Sequence, residues 1–233
     1  MSMRKETPRR LRGRKDGPER SSSLAPEDRE QIRQAAIREY ARAAAPIMSD
    51  LHAAGIRVDS LDALQDDDHE IVAPILLFWL PRVDSYRVKE SLVRYFTARW
   101  ARGVATRALL DAFCAAPMEE WSLRWTIGNA MYVISDKSAS DDILRIVEDP
   151  SNGRSREMFV VALGRVGHPR AVPVLLRLLD DDSMVGHAAI ALGLLRAKEA
   201  KPALEKLTDH PNAWVRKEAG NAIKRIDRAA RSS

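Results

Sequence analysis

Four stretches of this chain repeat one another. LRWTIGNAMYVI (123–134), SREMFVVALGRV (155–166), MVGHAAIALGLL (184–195) and VRKEAGNAIKRI (215–226) align without a gap, and their alanines Ala130, Ala162, Ala191 and Ala222 fall 32, 29 and 31 residues apart. A period of this size means one supersecondary unit used repeatedly, each copy hiding its apolar side on the next. The apolar columns are Ile127/Phe159/Ala188/Ala219, Met131/Leu163/Leu192/Ile223 and Ile134/Val166/Leu195/Ile226. With the alanine they stand at offsets 0, 3, 4 and 7, which is one face of an α-helix. Small residues recur at the centre of that face, so neighbouring helices are expected to approach closely.

A second helix follows each copy. SDDILRIVED, AVPVLLRLLDD and AKPALEKLTDH align through Ile143/Leu175/Leu204 and Ile146/Leu178/Leu207. Breakers such as Gly167-His168-Pro169 separate first helix from second. Asp149-Pro150, Asp180-Asp181-Asp182-Ser183 and Asp209-His210-Pro211 follow the second helix with stop signals and helix-start chemistry. Upstream the pattern weakens but persists. Val88, Leu92, Tyr95 and Phe96 mark another first helix, Val104–Phe113 its partner, and Ile71 to Trp79 resembles a second helix. Pro26–Gly55 reads as a long helix, bent at Pro46 and ended by Gly55. Ile56–Asp68 reads as a loop with a turn capped by Asp59 or Ser60. The expectation is an all-α, right-handed α-solenoid of about five helix pairs: a basic tail over 1–23, a helical cap over 24–67 and the repeats over 68–233.

The form V-R-x-x-A-x-x-A-L-G, a turn, then A-V-x-x-L-L-x-L-L-x-D runs through REMFVVALGRVGHPRAVPVLLRLLDD (156–181) and AWVRKEAGNAIKRI (213–226). It resembles HEAT-like repeats of the phycobilisome-lyase type, over about 68–228. That resemblance implies an armadillo-like fold and a protein-binding scaffold; it implies no particular chemistry. It also implies an inter-repeat ladder between loop acids and helix-start arginines, here Asp149 with Arg156 and Asp209 with Arg216, broken where Val185 takes the arginine's place. In such stacks the second helices line the concave face. One outward position there is Arg145, Arg177 and Lys206, a basic column suited to an acidic segment of a protein partner. Asn129 and Asn221 share a helix-interior position, where an asparagine is costly unless bonded, so each is expected to reach a neighbouring repeat.

Charge is unevenly spread. Residues 1–23 hold eight bases and three acids, which accounts for the whole net charge of +5. The rest divides into an acidic part (24–150, 15 bases and 21 acids) and a basic part (151–233, 15 and 9). The first 23 residues hold little apolar surface with which to offset ordering entropy. They read as an electrostatic arm for nucleic acid or an acidic partner, or as a solubilising extension. The apolar run Ile71–Leu80 is far short of the roughly 20 residues a membrane span needs, and no secretory signal leads the chain. A cytoplasmic protein is the expectation.

Candidate chemistry is sparse. A HEAT-like di-iron hydroxylase of the deoxyhypusine hydroxylase kind needs several His-Glu pairs on facing helices. This chain has one adjacent pair, His69-Glu70, while His52, His168, His187 and His210 have no neighbouring glutamate. A base-excision glycosylase needs a basic concave surface and aromatic side chains. Trp100, Trp121, Trp125 and Trp214 are present, but the body is neutral. Trp100 and Trp125 read as packing between helices and Trp214 as a staple before a helix start. Chromophore-lyase activity would rest on repeat analogy alone. Cys114, the one cysteine, excludes an internal disulfide and reads as an inert core thiol in Ala112-Phe113-Cys114-Ala115. No cofactor, metal site or catalytic set is expected.

Overall fold

The computed structural model describes residues 25–231, so the basic tail lies outside the described residues. Eleven α-helices follow one another: α1 (Pro26–Ala53), α2 (His69–Trp79), α3 (Tyr86–Tyr95), α4 (Thr106–Ala115), α5 (Trp121–Ile134), α6 (Ser140–Glu148), α7 (Glu157–Val166), α8 (Ala171–Arg177), α9 (Val185–Leu195), α10 (Lys201–Lys206) and α11 (Ala213–Arg231). No strand occurs among the described residues. The chain is an all-α, armadillo/HEAT-like repeat structure. Pro46 sits inside a continuous α1, and Gly55 ends it with φ near +90°. The segment between α1 and α2 is a loop with two short 3-10 turns; Ser60 precedes the first without a side-chain cap bond.

The repeat columns form the core. Ile127, Phe159, Ala188 and Ala219, with Ala130, Ala162, Ala191 and Ala222, are all fully buried. Two columns thin toward the C-terminus, where Leu195 and Ile223 are only partly covered. α5, α7 and α9 each end at one equivalent position in left-handed backbone: Ser135 (φ 52), Gly167 (φ 72) and Arg196 (φ 55). This left-handed residue stops the helix and turns the chain back toward the next rear helix. At the matching place in α11 the helix runs straight on to Arg231.

Helices pair differently from the sequence expectation. The close antiparallel neighbours are α4 with α5, α6 with α7, α8 with α9 and α10 with α11, across the Asp-rich loops rather than the Gly-Pro turns. Counted this way, four hairpins run from α4/α5 to α10/α11, and α1 packs on both α2 and α3 ahead of them. α3, α5, α7, α9 and α11 form a front row, and α2, α4, α6, α8 and α10 a rear row. Front helices meet at backbone distance. A Cβ built on Gly164 would lie 2.5 Å from the Ala191 Cα, and one on Gly193 would lie 2.7 Å from the Ala222 Cα. Successive rear helices approach one another much less closely. The front row is therefore the more tightly packed of the two.

Candidate functional site

The ladder that orders the front face uses other partners than the spacing suggested. Arg156 donates to the Val147 carbonyl at 2.9 Å, closing its own hairpin, and to Asp181 Oδ2 at 2.7 Å in the next one. Asp149 instead accepts from Ser151 within its own loop. Arg216 bonds the His210 and Pro211 carbonyls, not Asp209, which is exposed. The rung before Arg156 is Arg124, which sequence reasoning passed over. Its guanidinium bonds the Phe113 and Ala116 carbonyls, lies 3.9 Å from the Phe113 ring centre, and reaches Asn152 in the next loop. Arg124, Arg156 and Val185 occupy one repeat position; their opposite numbers Asn152, Asp181 and Asn212 each lie four residues before the next copy of it. At Val185 the charged rung is replaced by packing. Trp214 lies over Gly186, where an added Cβ would meet its ring at 2.0 Å. Trp214 is therefore a bridge between α9 and α11 inside a helix, not a staple ahead of one.

That packing builds a second apolar cluster on the front face. Met158, Val161 and Ile190 are buried there, with Trp125, Tyr132, Leu194 and Trp214 partly exposed around them. Arg165 stands over the Tyr132 ring at 4.9 Å, and the Arg225 stem reaches across Gly193. Asn221 bonds Glu218 of its own helix, and among the described residues no side-chain hydrogen bond reaches Asn129 from a neighbouring repeat. The face ends toward the N-terminus in a cleft of about 420 Å³, lined by Tyr40, Tyr86, Arg87, Glu90 and Trp121 among others.

His187 is the titratable centre of this face. Its ring lies 4.9 Å from that of Trp214, and its Nε2 is 3.9 Å from Glu157 Oε2. The Ser183 carbonyl is near, but Nδ1 forms no hydrogen bond of normal geometry. Burial holds the imidazole below the usual histidine range, with Arg154 in the same sense and Glu157 opposing. The unfolded chain therefore takes up a proton below about pH 6.5 that the native state resists. Stability should fall from there as pH drops toward the native value, and this contribution is flat above about pH 7. Melting curves from pH 7 to 5 should fall more steeply for the parent than for His187→Gln; parallel profiles would exclude the effect.

The column foreseen as a binding stripe lies on the rear row. Arg145, Arg177 and Lys206 are all exposed. Arg145 is paired with Asp142 of its own helix, and Arg177 lies 3.5 Å from Glu148, which also holds Arg170. Among the described residues, Lys206 alone of the three has no carboxylate against it. Cys114 is exposed, not a core thiol, because Phe113 takes the inward direction of α4. His69 Nδ1 donates to the Asp66 carbonyl, and its ring lies 4.7 Å from that of Trp100. Among the described residues, no three His, Cys, Asp or Glu side chains converge as metal ligands, and no helix is long and apolar enough to cross a membrane.

Comparison with known proteins agrees with this geometry. A family model described as HEAT repeats matches residues 106–190. The bilin biosynthesis protein PecE of Nostoc sp. (strain PCC 7120 / SAG 25.82 / UTEX 2576) is 26% identical over 132 residues, covering 52% of this chain and 52% of PecE. The match thus spans about half the length of that relative. Two designed armadillo repeat proteins are similar at 18% identity. One has a TM-score of 0.45, covering 69% of this chain and 84% of its own. The other, solved with a (KR)4 peptide, has a TM-score of 0.47 and covers 87% and 95%.

Proposed function

Because a family model described as HEAT repeats matches residues 106–190, we propose that the chain is a non-catalytic scaffold holding an extended segment of a partner protein along its front face. The observation that carries this reading is the cluster of Trp125, Tyr132, Leu194 and Trp214 half-open at the surface over buried Met158. Aromatic, Met and Arg side chains are the residues enriched at interface centres and hot spots. Arg165 and Arg225 flank the cluster, and the basic second part of the chain surrounds it, so the fitting segment is apolar with acidic flanks. The rear column of Arg145, Arg177 and Lys206 is a second candidate contact with less support, since two of its cations already hold carboxylates.

Trp125→Glu with Leu194→Glu, a pair of partly exposed positions that puts charge into the face, should lower partner capture in pull-downs at least tenfold, about 1.4 kcal/mol. Replacing the three rear cations by alanine should change capture less than twofold. The reverse pattern would move the site to the rear row, and equal capture by every variant would remove the scaffold reading. A part in bilin biosynthesis is a second reading, drawn from the likeness to PecE. Stoichiometric bilin binding, followed by visible absorption, would favour it; an unchanged spectrum would dismiss it.

A further inference from the structure

α2 carries two apolar faces. Val72, Ala73 and Leu76 are buried in the core. Ile71, Pro74, Ile75 and Phe78 stand at offsets 0, 3, 4 and 7 on the opposite side, with Ile71 49% and Phe78 51% exposed. A helix apolar all round is one built to be enclosed. The other rear helices differ: α6 shows Asp141 and Arg145 to solvent, and α10 shows Glu205 and Lys206. The two ends of the stack also differ. Every strongly exposed large apolar side chain among the described residues falls between Ile32 and Trp121, and none beyond. α11 closes the far end with exposed Lys217, Lys224 and Arg225. Head-to-tail stacking would set an apolar end on a charged one. Only the apolar end can meet its own likeness.

Charge decides how. Asp66, Asp67, Asp68 and Glu70 are exposed at the start of α2. Arg82 is exposed just past its end, with its guanidinium carbon 3.9 Å from the Phe78 ring centre. Parallel pairing of two such helices would place acid on acid. Antiparallel pairing sets each acidic start against the other copy's Arg82 and each Ile71 beside the other copy's Phe78. Helix dipoles favour the same arrangement. Ile32 and Ile37 on α1 form no rival stripe, since five residues turn them about 140° apart.

We propose that two copies of this chain associate through α2, antiparallel about a two-fold axis. The contact is isologous and closes on itself, so it yields dimers and not filaments. One helix face from each copy makes a small interface, below about 1,200 Å², the range of transient encounters. Dissociation constants in the micromolar range follow.

Sedimentation equilibrium of the full chain, from micromolar to near-millimolar concentration, should show a monomer–dimer equilibrium. Ile71→Glu with Phe78→Glu, both at exposed positions, should remain monomeric throughout with an unchanged circular-dichroism melt. Arg82→Glu should weaken association severalfold, and adding Asp67→Lys and Asp68→Lys should restore it. A parent chain monomeric to near-millimolar, or a dimer that survives the glutamates, overturns the proposal. Failure of the charge swap to restore pairing overturns the antiparallel arrangement. The Trp125→Glu, Leu194→Glu variant should dimerise normally, so this result and partner capture are read separately.

Discussion

Valine in place of Gly164 should lower the melting temperature more than any other single exchange on the front face. A Cβ there would lie 2.5 Å from the Ala191 Cα, and 2.7 Å from both its Cβ and its carbonyl oxygen. None of these is the end of a flexible side chain, so relief requires α7 and α9 to part. Both are lined by fully buried residues, Phe159, Leu163, Ala188 and Leu192 among them, whose contact would open together. Overpacking a core costs about 1–3 kcal/mol when side chains can adjust. With backbone as the obstacle, ~3 kcal/mol or more is expected, and Gly164→Ala should fall between. Gly220 is the control. It lies inside α11 with nothing within 4 Å of an added Cβ. Gly220→Ala should be neutral or stabilising by about 0.5–1 kcal/mol, as for alanine over glycine in a helix. Thermal and urea unfolding measure all three; a Gly164→Val melt within about 2 °C of the parent would show that α7 and α9 are not in backbone contact.

The close approach was legible because small residues recur at one column of the repeat. The division into hairpins was not. An alternating series of helices carries no mark of which neighbour each is paired with, so the Gly-Pro turn and the Asp loop were equally good places to cut it. In the structure Arg145, Arg177 and Lys206 stand exposed on the more loosely packed rear row. The hydrogen bonds of the ladder were hidden for a related reason. Sequence shows Asp149 seven residues before Arg156, whereas the bond runs 25 residues forward, to Asp181. Only the column of Arg124, Arg156 and Val185 against Asn152, Asp181 and Asn212 signals it, and that needs both offsets at once. Cys114 shows the limit of reading a run instead of a face: each helical step turns about 100°, and Phe113 already points inward. The front cluster was half visible. Trp125 and Trp214 were noticed, but nothing in their spacing says that Gly186 leaves the hollow that brings Trp214 onto α9.

Arg156→Ala should be the most costly loss of a polar side chain. The guanidinium is nearly buried, 8% exposed, against an Asp181 carboxylate at 31%, so solvent screens the pair little. Its removal strips the Val147 carbonyl as well as Asp181 of a donor. Breaking a buried pair from one side costs about 3–5 kcal/mol, and the lower figure suits a carboxylate that keeps its Ser183 bonds. Asp181 adds a pH signature. Burial alone would raise its pKa, but the Ser183 bonds and Arg156 hold it below the usual aspartate range. Stability from that depression is present above the unfolded value, near pH 4, and is lost as pH falls through the native one. The deficit of Arg156→Ala should therefore be largest at neutral pH and shrink toward pH 3, leaving the part owed to the Val147 carbonyl. Nature's own apolar rung suggests the rescue: Val185 faces a loop whose Asn212 caps the Trp214 amide at 2.9 Å. Arg156→Met with Asp181→Asn copies that rung and should recover more than half of the loss. A double variant no more stable than Arg156→Ala, or a deficit equal at pH 7 and pH 3, would mean that the arginine acts by packing and not through its charge.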